Sequence, residues 1–125
     1  MQNETQIFPP KEVAMELKKV GFNELCVAVY FGYDKNESTT PYPSHIYMKN
    51  ANMGKTSCTA PAYDQVIGWF AEVHGIEIDP CADSNMTEYS TDVWQKGQRV
   101  YEGAWLESRQ QSLLTAFREA IKLIE

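Results

Sequence analysis

The stretch of residues 59–75 constrains the fold more than any other part of this sequence. Its apolar residues follow helical spacing and cover more than the roughly 100° stripe of a surface helix. Pro61 suits the first helical position, Thr59 is a good capping residue, and Gly75 suits the left-handed residue after the end. We therefore predict a central helix here, contacted on two sides, with Ile67 and Phe70 nearly fully buried.

The remaining sequence predicts two more helices and five strands. The predicted helices are residues 7–22, with Pro10 suited to the first helical position and Gly21 ending the helix, and the segment after the capping sequence at 108–111. The predicted strands are 26–33, 44–49, 76–79, 88–94 and 98–105. The first is an apolar run typical of a central strand buried on both faces, and 76–79 alternates as a half-buried strand does, with Glu77 and Asp79 exposed. The segments 34–43, 50–58 and 80–87 are predicted loops, and Gly97 is placed to turn a hairpin between the last two strands. We expect a single α+β domain over residues 1–125, in the order α-β-β-α-β-β-β-α. Three helices would pack on a mainly antiparallel sheet, behind a loose tail at residues 1–6.

The net charge of −6 is concentrated in the middle of the chain. Residues 56–95 hold seven acidic residues and no Lys or Arg, whereas the rest holds ten acidic and eleven basic residues. We expect no direct binding to nucleic acid, because that affinity depends largely on Lys and Arg. The acidic segment is either a solvated surface that aids solubility or a docking face for a basic protein or a cation. The residues of this possible face are Glu77, Asp79, Asp83, Glu88 and Asp92.

No motif in the sequence specifies an activity. Gly54-Lys-Thr56 resembles the end of a phosphate-binding loop, but Lys49 occupies the position of the first glycine. Four residues have metal-binding side chains but lack the spacing of a zinc site: His74, Asp79, Cys81 and Asp83. The segment from residue 83 also lacks the glycine and the glutamate that a calcium loop requires. We therefore assign no catalytic residue, no metal and no cofactor.

A pocket between the central helix and the sheet would indicate a different function, that of a small enzyme or ligand-binding domain. Its candidate residues are Tyr63, Trp69, His45 and His74. A closed, polar-lined cavity that contains a histidine would favour this alternative. A flat aromatic patch would favour an interaction protein, as do the uneven charge and the 15 aromatic residues.

The cysteines and the hydropathy pattern indicate a cytoplasmic protein. Three cysteines without close pairs argue against a disulfide framework, so we expect Cys26, Cys58 and Cys81 to be free thiols and small buried side chains. No apolar run approaches the roughly 18 residues that a membrane span needs. The polar N-terminus lacks the pattern of a signal peptide.

Three stretches share a further pattern: residues 59–70 with 72–76 (TAPAYDQVIGWF and EVHGI), 12–22 (EVAMELKKVGF) and 116–124 (AFREAIKLI). Together they cover about a third of the chain and resemble small uncharacterised proteins of phages, prophages and gut Bacteroides-type genomes. That group has no assigned activity, so the resemblance implies no functional residue. It implies an intracellular accessory protein of a mobile element. We therefore expect a small, non-enzymatic interaction protein with an acidic face. The sequence does not predict its oligomeric state.

Overall fold

The computed structural model describes residues 7–32 and 41–125, and residues 44–46 by their backbone alone. In this part of the chain, three α-helices and six strands follow one another. The helices are α1 (Lys11–Lys19), α2 (Tyr63–His74) and α3 (Arg109–Ile124), and the strands are β1 (Cys26–Tyr30), β2 (Tyr42–Met48), β3 (Cys58–Thr59), β4 (Ile76–Ala82), β5 (Tyr89–Gln95) and β6 (Gln98–Tyr101). The α+β class and the three helices are confirmed, with the short strand β3 added to the predicted order. The predicted tail at 1–6 and most of the predicted loop at 34–43 lie outside the described residues.

The described strands form two antiparallel sheets of three strands each, where the sequence analysis expected one sheet. The first sheet has the order β2-β1-β3 and the second has the order β4-β5-β6. The chain divides into two compact units, one that ends at Tyr63 and one that begins at Asp64. Each unit therefore contains one complete sheet.

Helix α1 of the first unit begins and ends at residues whose backbones suit those positions. Pro10 is the residue before the helix, with φ −61° and ψ 159°, so α1 begins at Lys11, one residue after its predicted first position and four residues after the predicted bound at residue 7. Gly21 has φ +100°, which favours glycine, and it ends the helix as predicted. The amides of Phe22 and Gly21 donate to the carbonyls of Leu17 and Lys18 at 2.9 and 3.1 Å, the paired bonds of a Schellman motif.

Strand β3 is held in the first sheet by contacts that no local sequence pattern predicts. The buried side chain of Asn50 donates to the carbonyl of Phe22 at 2.7 Å and accepts from the amide of Thr59 at 2.9 Å. Because Thr59 also pairs with β1, its backbone is extended and it does not cap a helix. The prediction that Pro61 begins the central helix was therefore wrong, and α2 begins at Tyr63.

The first two strands also differ from their predicted bounds. Strand β1 ends at Tyr30 and is the middle strand of its sheet, as a central strand was predicted to be. Val27 is 50% exposed, so the predicted burial of β1 on both faces was wrong at that residue. Strand β2 begins two residues earlier than predicted, and its Pro43 lies opposite Ala28. A proline is tolerated there because β2 is an edge strand.

Aromatic side chains join α2 and α3 in the second unit. The ring centroids of Phe70 and Phe117 lie 6.2 Å apart, and both side chains are fully buried. Ile67 is half-buried, so its predicted full burial was wrong, whereas that of Phe70 is confirmed. Gly75, with φ +65°, ends α2 as predicted.

The hairpin strands of the second unit are shifted relative to their predicted bounds. Strand β4 continues past residue 79, through Pro80 to Ala82, into a segment predicted as loop. Strand β6 ends at Tyr101. Lys96 and Gly97 form the turn between β5 and β6 with φ of 54° and 76°, so the left-handed conformation predicted for Gly97 is confirmed. Two positive φ angles in a two-residue loop match the twist of the flanking strands.

We expect Phe70→Ala to lower the free energy of unfolding by about 3–5 kcal/mol, because it leaves a cavity in a fully buried aromatic contact. Val73→Ala on the same helix is the control, since Val73 is 58% exposed and its truncation should cost within about 0.5 kcal/mol. Urea unfolding of the two variants measures both values. A loss below about 1 kcal/mol for Phe70→Ala would show that α2 is not part of the core.

Candidate protein interaction surface

The register of the second sheet brings together acidic and aromatic residues from different strands. Across β4 and β5, Glu77 lies opposite Trp94, and Asp79 lies opposite Asp92. Because side chains alternate along a strand, these residues share one side of the sheet. Arg99 of β6 lies opposite Trp94 and completes this side. We call it the outer face, and its members are Glu77, Asp79, Cys81, Ser90, Asp92, Trp94 and Arg99.

The opposite side of the same sheet is buried where β4 and β5 pack on α3, and this burial fixes which of their residues face outward. Ile76, Ile78 and Val93 are at most 4% exposed. Helix α3 packs on β4 and β5. The hydroxyls of Thr91 and Ser112 form a buried hydrogen bond of 2.7 Å that joins β5 to α3. The alternation of residues 76–79 predicted outward carboxylates, and the structure confirms it for both.

Asp92 is held within the protein. One of its carboxylate oxygens accepts a hydrogen bond from the amide of Gly103 at 3.0 Å, and the other lies 3.6 Å from the guanidinium of Arg99. A side chain at position 103 would collide with the backbone of Thr91, so the close approach of this segment to β5 requires glycine. Asp92 is therefore half-buried and already has partners.

Arg99 lies among acidic and aromatic groups of the same sheet. Its guanidinium is 3.6 Å from Asp92 and 3.7 Å from Glu102. Its central carbon also lies 5.9 Å from the centre of the Trp94 ring, within cation–π distance. Partly exposed ion pairs of this kind stabilise a fold by about 0–1 kcal/mol each. Their importance here is that they define which carboxylates already have a cation beside them.

Glu77 and Asp79 form no such ion pair with a described residue. Both are exposed, and neither makes a hydrogen bond or an ion pair with any described residue. They line an open depression of about 390 Å³ together with Trp94 and Lys96. The depression thus presents two carboxylates beside an indole ring.

The other two predicted face residues, Asp83 and Glu88, belong to the loop between β4 and β5. The carboxylate of Asp83 accepts from the amide and the hydroxyl of Thr87, both at 2.8 Å, and from the amide of Glu88 at 3.3 Å. These hydrogen bonds, chiefly that from the Thr87 amide, lower the pKa of Asp83. Asp83 therefore closes its own loop, whereas the side chain of Glu88 is exposed.

All three cysteines are free thiols, as predicted, but they differ in accessibility. Cys26 and Cys58 are buried, and burial raises the pKa of Cys58 to about 11. Cys81 is exposed on the outer face, so its predicted burial was wrong. Desolvation raises the pKa of the Cys81 thiol, and the charges of Asp79 and Asp92 raise it further.

Three residues of the predicted pocket lie on α2, and the fourth lies in β2. Tyr63 and Trp69 are buried, and the rings of Trp69 and His74 lie edge to face at 4.8 Å. His45 lies in β2, and its side chain is outside the described part of the chain. None of the other three lines the depression beside Trp94 or a second one of about 210 Å³ beside Cys81 and Arg109. The pocket stays a prediction.

Trp94 and Arg99 were not predicted from the sequence as components of the candidate surface. Each lies on a different strand, and only the pairing of β5 with β4 and β6 places Trp94 between Glu77 and Arg99. The signal that could have located Trp94 was its even spacing from Asp92 along the predicted strand.

Comparison with known proteins finds no family model, no curated protein and no solved structure that matches this chain. No helix among the described residues has the length and apolar character to cross a membrane. Within residues 7–32 and 41–125, no group of three or more His, Cys, Asp or Glu side chains is arranged to hold a metal ion.

We expect a thiol reagent to label Cys81 rapidly in the folded protein, and Cys26 and Cys58 only on unfolding. The thiolate is the reactive form, so Asp79→Asn should lower the pKa of Cys81 and speed its labelling at neutral pH and low salt. Stopped-flow labelling over a range of pH measures this change, with Glu72→Gln on α2 as the control of equal charge. An unchanged rate in Asp79→Asn would contradict the placement of Asp79 beside Cys81.

Proposed function

We propose that this protein is a small, non-enzymatic interaction protein that binds a basic partner protein on the outer face. The observation that carries the proposal is the pair of exposed carboxylates on β4, Glu77 and Asp79, which form no ion pair with a described residue although Lys96 lines the same depression. A partner that supplied positive charge there would gain attraction without displacing an existing ion pair.

The distribution of charge supports the same proposal. Residues 64–125 hold eleven acidic and five basic side chains, whereas residues 1–63 hold six of each. The entire net charge of −6 therefore belongs to the unit that carries the outer face. A field of this sign speeds encounter with a basic protein and opposes contact with a phosphate backbone. We propose accordingly that nucleic acid is not a direct partner.

The biological setting is part of the proposal and depends on the sequence alone. The resemblance of residues 12–22, 59–76 and 116–124 to phage and prophage proteins favours an accessory protein of a mobile element. In that setting the partner would be a basic protein of the host or of the element, and the compartment would be the cytoplasm.

The proposal is tested by capturing partners from the source cell on three baits. The first is the wild-type protein, the second carries Glu77→Gln with Asp79→Asn, and the third carries Glu72→Gln with Glu107→Gln as a matched change of charge away from the outer face. We expect a basic protein on the first and third baits, and a loss of about tenfold in its affinity for the second. Two exposed ion pairs of up to about 1 kcal/mol each account for a loss of that size.

Association kinetics and a gel-shift assay complete this test. The association rate with the captured protein should fall as salt rises, because the Debye length is only about 8 Å at physiological ionic strength. Equal loss of the partner from the second and third baits would contradict the outer face as the docking surface. Binding of DNA or RNA at about 150 mM salt would contradict the proposed role of charge.

A further inference from the structure

We propose that the depression beside Trp94 binds an arginine side chain of the partner, with the guanidinium against the indole ring and its N–H groups donating to Glu77 and Asp79. This inference rests on the proposed function, since it names the chemical group that the outer face recognises. We call these three residues the arginine seat.

The chain's own Arg99 shows that the outer face accepts a guanidinium. Arg99 lies over Trp94 at 5.9 Å and approaches Asp92 to 3.6 Å, so an indole and a carboxylate contact one guanidinium. This internal contact is on the β6 side of Trp94. Arg99 does not line the depression, which lies on the β4 side. Carboxylates therefore lie on both sides of the Trp94 indole. The guanidinium of Arg99 lies on the β6 side of it.

The shape of the depression leaves space for an incoming side chain. Gly75 and Gly97 line it, and neither has a side chain that would narrow it. Lys96 also lines it and makes no hydrogen bond or ion pair with a described residue. The acidic groups nevertheless outnumber this lysine by two to one in the depression.

The chemistry of the seat favours arginine over lysine. A guanidinium is planar and weakly hydrated, so it can stack on an aromatic ring while its edges donate to carboxylates. An ammonium group is compact and strongly hydrated, and it acts as a point charge. Trp is also the aromatic side chain that forms the strongest cation–π contacts. A partner that presents an arginine therefore gains both contacts at once.

The inference is tested with two defined probes, hexa-arginine and hexa-lysine, titrated into the ¹⁵N-labelled protein at low salt. We expect hexa-arginine to shift the indole N–H signal of Trp94 and the amides of residues 75–79 and 94–97. It should bind more tightly than hexa-lysine. Trp94→Phe assigns the indole signal, and it should bring the affinities for the two peptides closer together while leaving the fold in place.

Charge variants separate a local site from general attraction. Glu77→Gln with Asp79→Asn should weaken hexa-arginine binding by about tenfold, whereas Glu72→Gln with Glu107→Gln should change it by less than about twofold. Equal weakening in both double variants, or equal affinity for the two peptides with an unmoved Trp94 signal, would overturn the arginine seat. The proposed function would survive that result if the basic partner were still lost from the Glu77 and Asp79 bait alone. A partner lost equally from both baits, with hexa-arginine still bound at Trp94, would contradict the proposed function and leave the seat standing.

Discussion

The register of β4 against β5 is the constraint on which the candidate surface depends. Seven consecutive pairs join the two strands, from Ile76 to Ala82 on β4. Ile76, Ile78 and Val93 are buried on the inner side, where α3 packs, and a slip of one residue would carry Glu77 and Asp79 into the core. The buried hydrogen bond between Thr91 and Ser112 adds a polar contact that a slipped strand would lose. Burial on one side of the sheet thus determines which charges meet on the other side.

The carboxylates of the outer face differ in how far the fold neutralises them. Asp79 lies directly opposite Asp92, and like charges in that relation destabilise a sheet. Arg99 and the amide of Gly103 relieve this repulsion at Asp92. No described residue relieves it at Asp79, where exposure to water weakens the repulsion without removing it. A cationic partner would offset the remaining repulsion between Asp79 and Asp92. This gain would add to the free energy of binding.

Local sequence patterns predicted the parts of this structure that depend on neighbouring residues. The alternation of residues 76–79 placed Glu77 outward, and the Ser108 cap of α3 is confirmed by its 3.2 Å bond from the Gln111 amide. The start of α2 could not be predicted, because Thr59 is held in β3 by pairing with a strand far away in the sequence. The same limit applies to Trp94, which joins the acidic residues only through the register of three strands. The exposure of Cys81 was missed because its burial was predicted from residue type alone, whereas β4 continues through Pro80 and places Cys81 on the exposed side of the sheet.

Cys81 provides the most direct measurement of whether a partner docks on the outer face, because it is exposed there while the other two thiols are buried. A photo-crosslinker attached to Cys81 would be activated in an extract of the source cell. A second protein, with Cys81→Ser and Glu72→Cys, would carry the crosslinker on α2 instead. The account predicts that a basic protein is crosslinked from Cys81, that the control position gives little of this product, and that hexa-arginine competes with it. Crosslinking of the same protein from position 72 and not from Cys81 would contradict the outer face as the binding surface.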